Sequence, residues 1–162
     1  MCHLVGLALS EPVCHLSGQG LSYPPGSVIP MSNVTQIGEL ASWGGETGKQ
    51  FVEKEIGAQF AGVSVNTTRP GGESPYWHAH ARLEEIYVVI DGRGEFALGD
   101  ELLPLEVGTV VRVAPGVMHA LRALPDSPTP MRWLCIRAAG MELSEVGRDA
   151  EVDRDRPFPW NA

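Results

Sequence analysis

From residue 60 onward, short apolar runs rich in β-branched residues alternate with sequences typical of turns. The runs span residues 60–68, 86–90, 94–98, 109–113, 119–124 and 131–138. The turns between them include Arg69-Pro70-Gly71-Gly72, Asp91-Gly92, Gly99-Asp100, Pro115-Gly116 and Pro125-Asp126. Asp91-Gly92 is among the strongest hairpin dipeptides. Because no long helical pattern separates these runs, they predict an all-β sandwich or barrel.

Length and charge indicate one globular domain that does not bind polyanions. A chain of 162 residues, of which 43% are hydrophobic and 20% charged, is long enough to bury a core without a second domain. Its net charge is −8, and no stretch gathers enough lysine or arginine to offset repulsion by phosphates. We therefore expect no nucleic acid or membrane partner.

Cysteine usage and the N-terminal sequence indicate a cytoplasmic location. Cys2, Cys14 and Cys135 are an odd, widely separated set rather than a disulfide framework. The first residues lack the basic region of a secretory signal, and no apolar run approaches the ~20 residues that span a bilayer. We expect a soluble protein with reduced thiols.

The pattern divides the chain into three parts. Residues 1–30 have little periodicity and are expected to be an irregular N-terminal extension, or an artefact of start-codon choice. Residues 31–145 are expected to form the barrel, with a short helical turn within residues 37–43. Residues 146–162 are expected to be a solvated acidic tail, since residues 142–156 hold six acids and three arginines.

Three histidines and a glutamate stand at the starts of predicted strands. His78 and His80 would share one face of a strand, where both imidazoles can converge on one ion. Glu84 and Glu85 precede the next strand, and His119 follows the Pro115-Gly116 turn. Imidazoles with a carboxylate suit divalent iron, manganese, nickel or zinc. The alternative is that the histidines simply pack in the barrel.

The spacing of these residues resembles the two motifs of the cupin superfamily. The first motif is Gly72-x5-His78-x-His80-x4-Glu85-x6-Gly92, and the second runs from Gly108 through Pro115-Gly116-x2-His119. The resemblance implies a small single-domain cupin, a double-stranded β-helix of the jelly-roll type, with one divalent metal held by His78, His80, Glu85 and His119. Glu84 is the weaker ligand candidate because alternation points it to the opposite face.

Two positions depart from the family pattern. The proline that the family usually has at the position of Ala114 is displaced to Pro115, which should preserve the turn. Ala123 replaces an asparagine that is frequent after the second motif. Because that asparagine is not a ligand, metal binding is expected to survive both changes.

Strand alternation places further side chains near the predicted metal. Tyr87 falls on the side of Glu85, where it either orients a ligand, acts as an acid or packs as a core tyrosine. Tyr76 and Trp77 line a mouth, cover the sheet or make a dimer contact. Trp133 and Arg137 share one face of the last strand, whose direction the pattern does not give.

The ligand number bears on function. Four protein ligands close a tetrahedral zinc site, whereas an octahedral ion keeps two positions for a small molecule. The first hypothesis is a metal-dependent dioxygenase or related oxidoreductase acting on a small molecule. The alternatives are a non-redox isomerase or lyase, and a non-catalytic ligand-binding barrel. The resemblance also suggests a homodimer, with residues 60–65 as a candidate edge strand.

Overall fold

The computed structural model describes residues 34–45, 48–140 and 149–161, all within the unit Met31–Ala162. In this part of the chain the strands are β1 Lys49–Phe51, β2 Ala61–Thr68, β3 Trp77–His80, β4 Glu84–Asp91, β5 Gly94–Leu98, β6 Glu101–Leu105, β7 Val110–Val113, β8 His119–Ala123, β9 Met131–Ala138 and β10 Ala150–Asp153. Short 3-10 helices span Leu40–Ser42, within the helical turn that the sequence predicts, and Pro159–Asn161. The extension expected at residues 1–30 lies outside the described residues.

The strands form two five-stranded antiparallel sheets. Sheet A has the order β1-β2-β9-β4-β7, and sheet B has the order β10-β3-β8-β5-β6. Buried side chains from both sheets form one apolar core, made of Tyr87, Val89, Phe96, Leu105, Val111, Val113, Leu121, Ala123, Met131 and Cys135. The predicted two-sheet β-barrel is confirmed.

The turns after β4 and β5 differ in what they connect. Gly99-Asp100 closes a hairpin, since Leu98 of β5 pairs with Glu101 of β6. Asp91-Gly92 does not, because β4 belongs to sheet A and β5 to sheet B. The hairpin predicted at Asp91-Gly92 is therefore wrong, because this turn carries the chain from sheet A to sheet B. Gly92 has φ 75°, and a Cβ there would lie 2.7 Å from Met131 Cα, so only glycine fits.

Strand β2 is not an edge strand. It pairs along its length with β9 on one side, and its residues 64–66 pair with β1 on the other. The predicted edge at residues 60–65 is therefore wrong, because the short strand Lys49–Phe51 occupies that position in sheet A.

Strand β10 comes from the stretch that the sequence analysis assigns to a solvated tail. It extends sheet B by pairing with β3, with Val152 opposite His78 and Ala150 opposite His80. Beyond β10, Phe158 packs on Trp77, which is only 2% exposed. These residues are therefore part of the fold rather than a free tail: β10 pairs with the edge of β3 although its side chains are mostly exposed, and Phe158 covers the apolar outer face of β3. Residues 146–148 lie outside the described part.

Candidate metal centre

Strand β3 supplies two histidines to the interior. Because side chains alternate along a strand, His78 and His80 share its inner face, while Trp77 and Ala79 face the other way. His78 Nε2 lies 4.0 Å from Glu85 Oε2, and His80 Nε2 lies 3.7 Å from Glu85 Oε1. These three side chains offer ligand atoms that all lie within 4.8 Å of one another. They come from facing sheets, so the barrel itself brings them together.

Strand β4 supplies the carboxylate. Glu85 is 3% exposed and faces inward, whereas Glu84 faces outward and pairs with Arg112. Two neutral donors hold the Glu85 carboxylate: the Tyr87 hydroxyl donates to Oε2 at 3.1 Å, and the Cys135 thiol donates to Oε1 at 3.3 Å. The structure therefore brings Glu85, rather than Glu84, to the histidines.

Strand β8 brings His119 to the same place. His119 pairs with His78 in the β3–β8 ladder, and the two ring centroids are 4.1 Å apart. Its Nε2 lies 2.9 Å from Glu85 Oε2 and 3.0 Å from the Tyr87 hydroxyl. His119 thus lies next to the His78, His80 and Glu85 side chains through its contact with the Glu85 carboxylate.

Hydrogen bonds at the outer ring nitrogens orient two of the histidines. His119 Nδ1 lies 3.0 Å from the Val117 carbonyl, and His80 Nδ1 lies 3.0 Å from Asp149 Oδ1. When Nδ1 donates, the neutral ring turns the lone pair of Nε2 toward the site. His119 Nε2 and Glu85 Oε2 then both accept, so their 2.9 Å separation calls for a proton or a cation between them. Three nitrogens and one carboxylate fit a divalent transition ion.

Two of these contacts involve residues outside the sequence motifs, Asp149 and Cys135. Asp149 lies outside both motifs and reaches His80 only because β10 pairs with β3, a long-range pairing that no local pattern reveals. Cys135 is opposite Tyr87 in the β4–β9 ladder, so its inward direction follows only once the register is known.

The electrostatic state of the site suits a cation at neutral pH. Burial raises the pKa of Glu85, but the hydrogen bond that it shares with a protonated His119 and the charges of the three histidines in their protonated forms outweigh burial and lower the pKa to about 2. Burial, followed by the charge of His119, lowers the pKa of His78 to about 4, and Lys49 contributes in the same direction. Burial raises the pKa of the Tyr87 phenol, which therefore keeps its proton. An ionised carboxylate and a neutral imidazole are the forms that bind metal.

The site opens into a cavity of about 520 Å³. Besides the site residues, its lining includes Lys49, Phe51, Tyr76, Trp133 and Arg137. Trp133 and Arg137 therefore face inward, which answers the question that the sequence left open. Tyr76 reaches the cavity wall, whereas Trp77 packs on the outer face of β3. The volume is that of a site for a small organic molecule.

Comparisons with known proteins agree with this geometry. A family model for the cupin domain matches residues 65–137. A solved cupin protein from Bacteroides fragilis is 29% identical, with a TM-score of 0.54 over 57% of this chain and 76% of that chain. A putative sugar phosphate isomerase from Acidithiobacillus ferrooxidans, 22% identical over 56% of this chain and 57% of that one, has a TM-score of 0.50 and shows a shared fold.

A curated relative is also similar in sequence. An uncharacterized protein of Methanocaldococcus jannaschii is 29% identical over 66 residues, which are 41% of this chain and 51% of that protein. The match thus spans about half the length of this relative. Among the described residues, no helix has the length and apolar character needed to cross a membrane. The family match, the motifs and the two-sheet barrel together identify residues 65–137 as a cupin domain.

Proposed function

We propose that this cupin domain binds one divalent transition metal ion through His78, His80, Glu85 and His119 and acts on a small molecule in the adjoining cavity. The observation that carries the proposal is the convergence of His78, His80 and Glu85 from both sheets where the barrel opens, with His119 Nε2 2.9 Å from the same carboxylate. Iron, manganese, nickel and zinc all accept this donor set. When bound, the ion supplies Lewis-acid or redox chemistry to a ligand beside it.

The chain's own residues prepare the site for this role. Glu85 supplies a negative charge that is held by Tyr87 and Cys135, so the carboxylate has one orientation before an ion arrives. Asp149 and the Val117 carbonyl fix two imidazole rings. A site whose ligands are already oriented loses little conformational entropy on binding.

The first reaction class that we propose is oxidation of the small molecule by a dioxygenase or a related oxidoreductase. Three histidines and one carboxylate are one histidine richer than the facial triad of many non-haem iron oxygenases. The cavity leaves space for a substrate next to the four side chains.

A second class, isomerase or lyase chemistry without redox change, is favoured by Tyr87. Its hydroxyl is buried between Glu85 and His119, it keeps its proton, and its side chain lines the cavity. We propose it as the group that orients the substrate or donates a proton to it.

The test begins with the metal content of protein purified without chelators, compared with His119→Ala. We expect about one ion per chain, with a sharp loss in the variant; full retention in the variant would remove His119 from the ligand set. Oxygen uptake with diketones, catechols and thiols then tests the oxidoreductase. Turnover that persists without oxygen would favour an isomerase or lyase. Ligand binding without turnover would favour a non-catalytic binding barrel. Tightly held zinc with no exchangeable position would refute the oxygenase.

A further inference from the structure

The wall of the cavity carries two cations, although the chain as a whole is acidic. Lys49 of β1 and Arg137 of β9 both line the cavity that holds the proposed metal site. The acidic side chains on the same lining are Glu85, which belongs to the site, and Glu73, which is exposed and accepts a hydrogen bond from Trp160. In a protein of net charge −8, this placement of positive charge needs an explanation.

Arg137 lies beside Glu85, the carboxylate that we propose as a metal ligand. It is directly opposite Glu85 in the β4–β9 ladder, where paired side chains start about 5 Å apart. On the other side Gly62 is its partner, and a Cβ there would come within 3.0 Å of the guanidinium. The absence of a side chain at Gly62 therefore gives the guanidinium its room. A ligand group at the metal would lie one strand away from this cation.

The guanidinium is only partly used by the protein. Arg137 has five N–H donors and is 6% exposed, and among the described residues its one hydrogen-bond partner is Glu53, at 2.8 Å. Its Nε is buried with no partner in this part of the chain. The guanidinium also packs over the Phe51 ring, with its Cζ 5.0 Å from the ring centroid, so its charge is held in place beside the cavity before a ligand enters.

Lys49 adds a second positive charge at the mouth. It is exposed and is opposite Asn66 in the β1–β2 ladder, with its ammonium group 5.0 Å from the centroid of Phe51. It lines the same cavity as His78. Because Arg137 is already paired with Glu53 inside the protein, a ligand with one negative charge suits this wall better than a phosphate dianion.

The rest of the lining is apolar or aromatic. Tyr76, Trp133 and Phe51 flank the polar groups, and the volume of about 520 Å³ exceeds what a bare anion needs. We infer that the cavity takes a small carboxylic acid with an apolar or aromatic body, its carboxylate set between the metal and the cations Arg137 and Lys49. This inference rests on the proposed metal site and adds the class of ligand.

The test compares acids with neutral amides of the same size. Metal-loaded protein is titrated by calorimetry at low ionic strength with mandelate and mandelamide, and with benzoate and benzamide. Within each pair the aromatic body is constant and the charge differs. We expect each acid to bind at least about 10-fold more tightly than its amide, the effect of one charge-assisted hydrogen bond. Equal binding within both pairs would overturn the inference.

Lysine variants locate the charge effect. Lys49→Gln is expected to weaken binding of the acids roughly 3- to 10-fold and to leave the amides unchanged. Lys54→Gln is the matched control, because it removes the same charge from the neighbouring turn outside the cavity lining. Equal effects of the two variants would refute a role for Lys49.

Arg137 needs a paired design, since its removal alone leaves Glu53 as a buried unpaired charge. The variant Glu53→Gln with Arg137→Gln removes both charges, and thermal unfolding verifies the fold. We expect weaker binding of the acids in this variant, and unchanged binding in a folded variant would overturn the role of Arg137.

The same titrations on metal-free protein separate the two proposals. If the protein takes up no metal, the proposed function fails, and a preference for acids that depends on Lys49 would still establish the cationic subsite. If the metal binds but acids and amides bind alike, the subsite fails and the metal site stands.

Discussion

Replacing Asp149 by alanine tests whether the C-terminal strand takes part in the proposed metal site. Asp149 Oδ1 lies 3.0 Å from His80 Nδ1, and both side chains are largely buried, at 8% and 10% exposed. Burial raises the pKa of Asp149, but hydrogen bonds from His80 and from the backbone outweigh it and lower the pKa. Asp149 is therefore a carboxylate at neutral pH that fixes the ring and increases the basicity of Nε2.

The expected loss can be estimated from this contact. Removing the partner of a metal-binding imidazole lowers metal affinity by roughly 10- to 100-fold, or about 1.4 to 2.7 kcal/mol of binding free energy. Asp149→Asn keeps an oxygen that can accept from His80 but loses the charge, so its loss should lie at the lower end of this range. The Asp149 backbone carbonyl still accepts from Ala81 at 3.0 Å in both variants, which helps to keep β10 in place.

The assay is competition for Co²⁺ or Zn²⁺ against a chelator of known affinity. Asp155→Asn is the matched control, because this exposed acid belongs to the same stretch and its hydrogen bond to Asp153 is donated by its backbone nitrogen. Far-UV circular dichroism verifies that each variant is folded. If folded Asp149→Ala binds metal within about twofold of the parent chain, the carboxylate does not tune His80 and the reasoning is wrong.

Two further predictions follow from the site, and a third concerns the oligomeric state. The free energy of unfolding of the metal-free protein should fall by about 3 kcal/mol as the pH falls from 6.5 to 4, because His78 is protonated near pH 6.5 in the unfolded chain but only near pH 4 in the folded chain. Denaturant titrations at several pH values should show that the unfolding free energy of His78→Gln depends less on pH. An unchanged pH dependence in this variant would contradict the assignment. Tyr87→Phe should retain its metal and lose at least about 10-fold in turnover once a substrate is known; full activity would make Tyr87 a packing residue. Light scattering should give twice the chain mass if the expected homodimer forms, and a monomer would remove that expectation.

The local parts of the site could be predicted from the sequence. Strand alternation alone places His78 with His80, separates Glu85 from Glu84, and puts Tyr87 beside Glu85. Each inference uses residues within one strand, so it holds once the strand itself is recognised. The structure agrees on the position of each side chain.

The parts that depend on pairing between distant strands could not be predicted. Asp91-Gly92 favours a tight turn, but whether that turn joins neighbours in one sheet depends on strands that come later in the chain. The acidic composition of residues 150–153 indicates solvent exposure, yet the backbone of this strand pairs with β3 while its side chains stay largely outside. Backbone pairing is insensitive to side-chain charge when a strand has one solvated face.

The position of β10 has a practical consequence for fragments of this protein. A fragment cut to residues 65–137 would lack β1, the first half of β2 and β10, and so would leave the hydrogen-bonding edges of β3 and of the rest of β2 without their partners. It would also uncover Trp77, from which the stretch containing Phe158 excludes water. An unpaired edge of β3 next to a solvent-exposed Trp77 can pair with a strand of another molecule, so we expect this fragment to aggregate. Expression boundaries for this barrel should therefore be drawn from its strand pairing rather than from its motif limits.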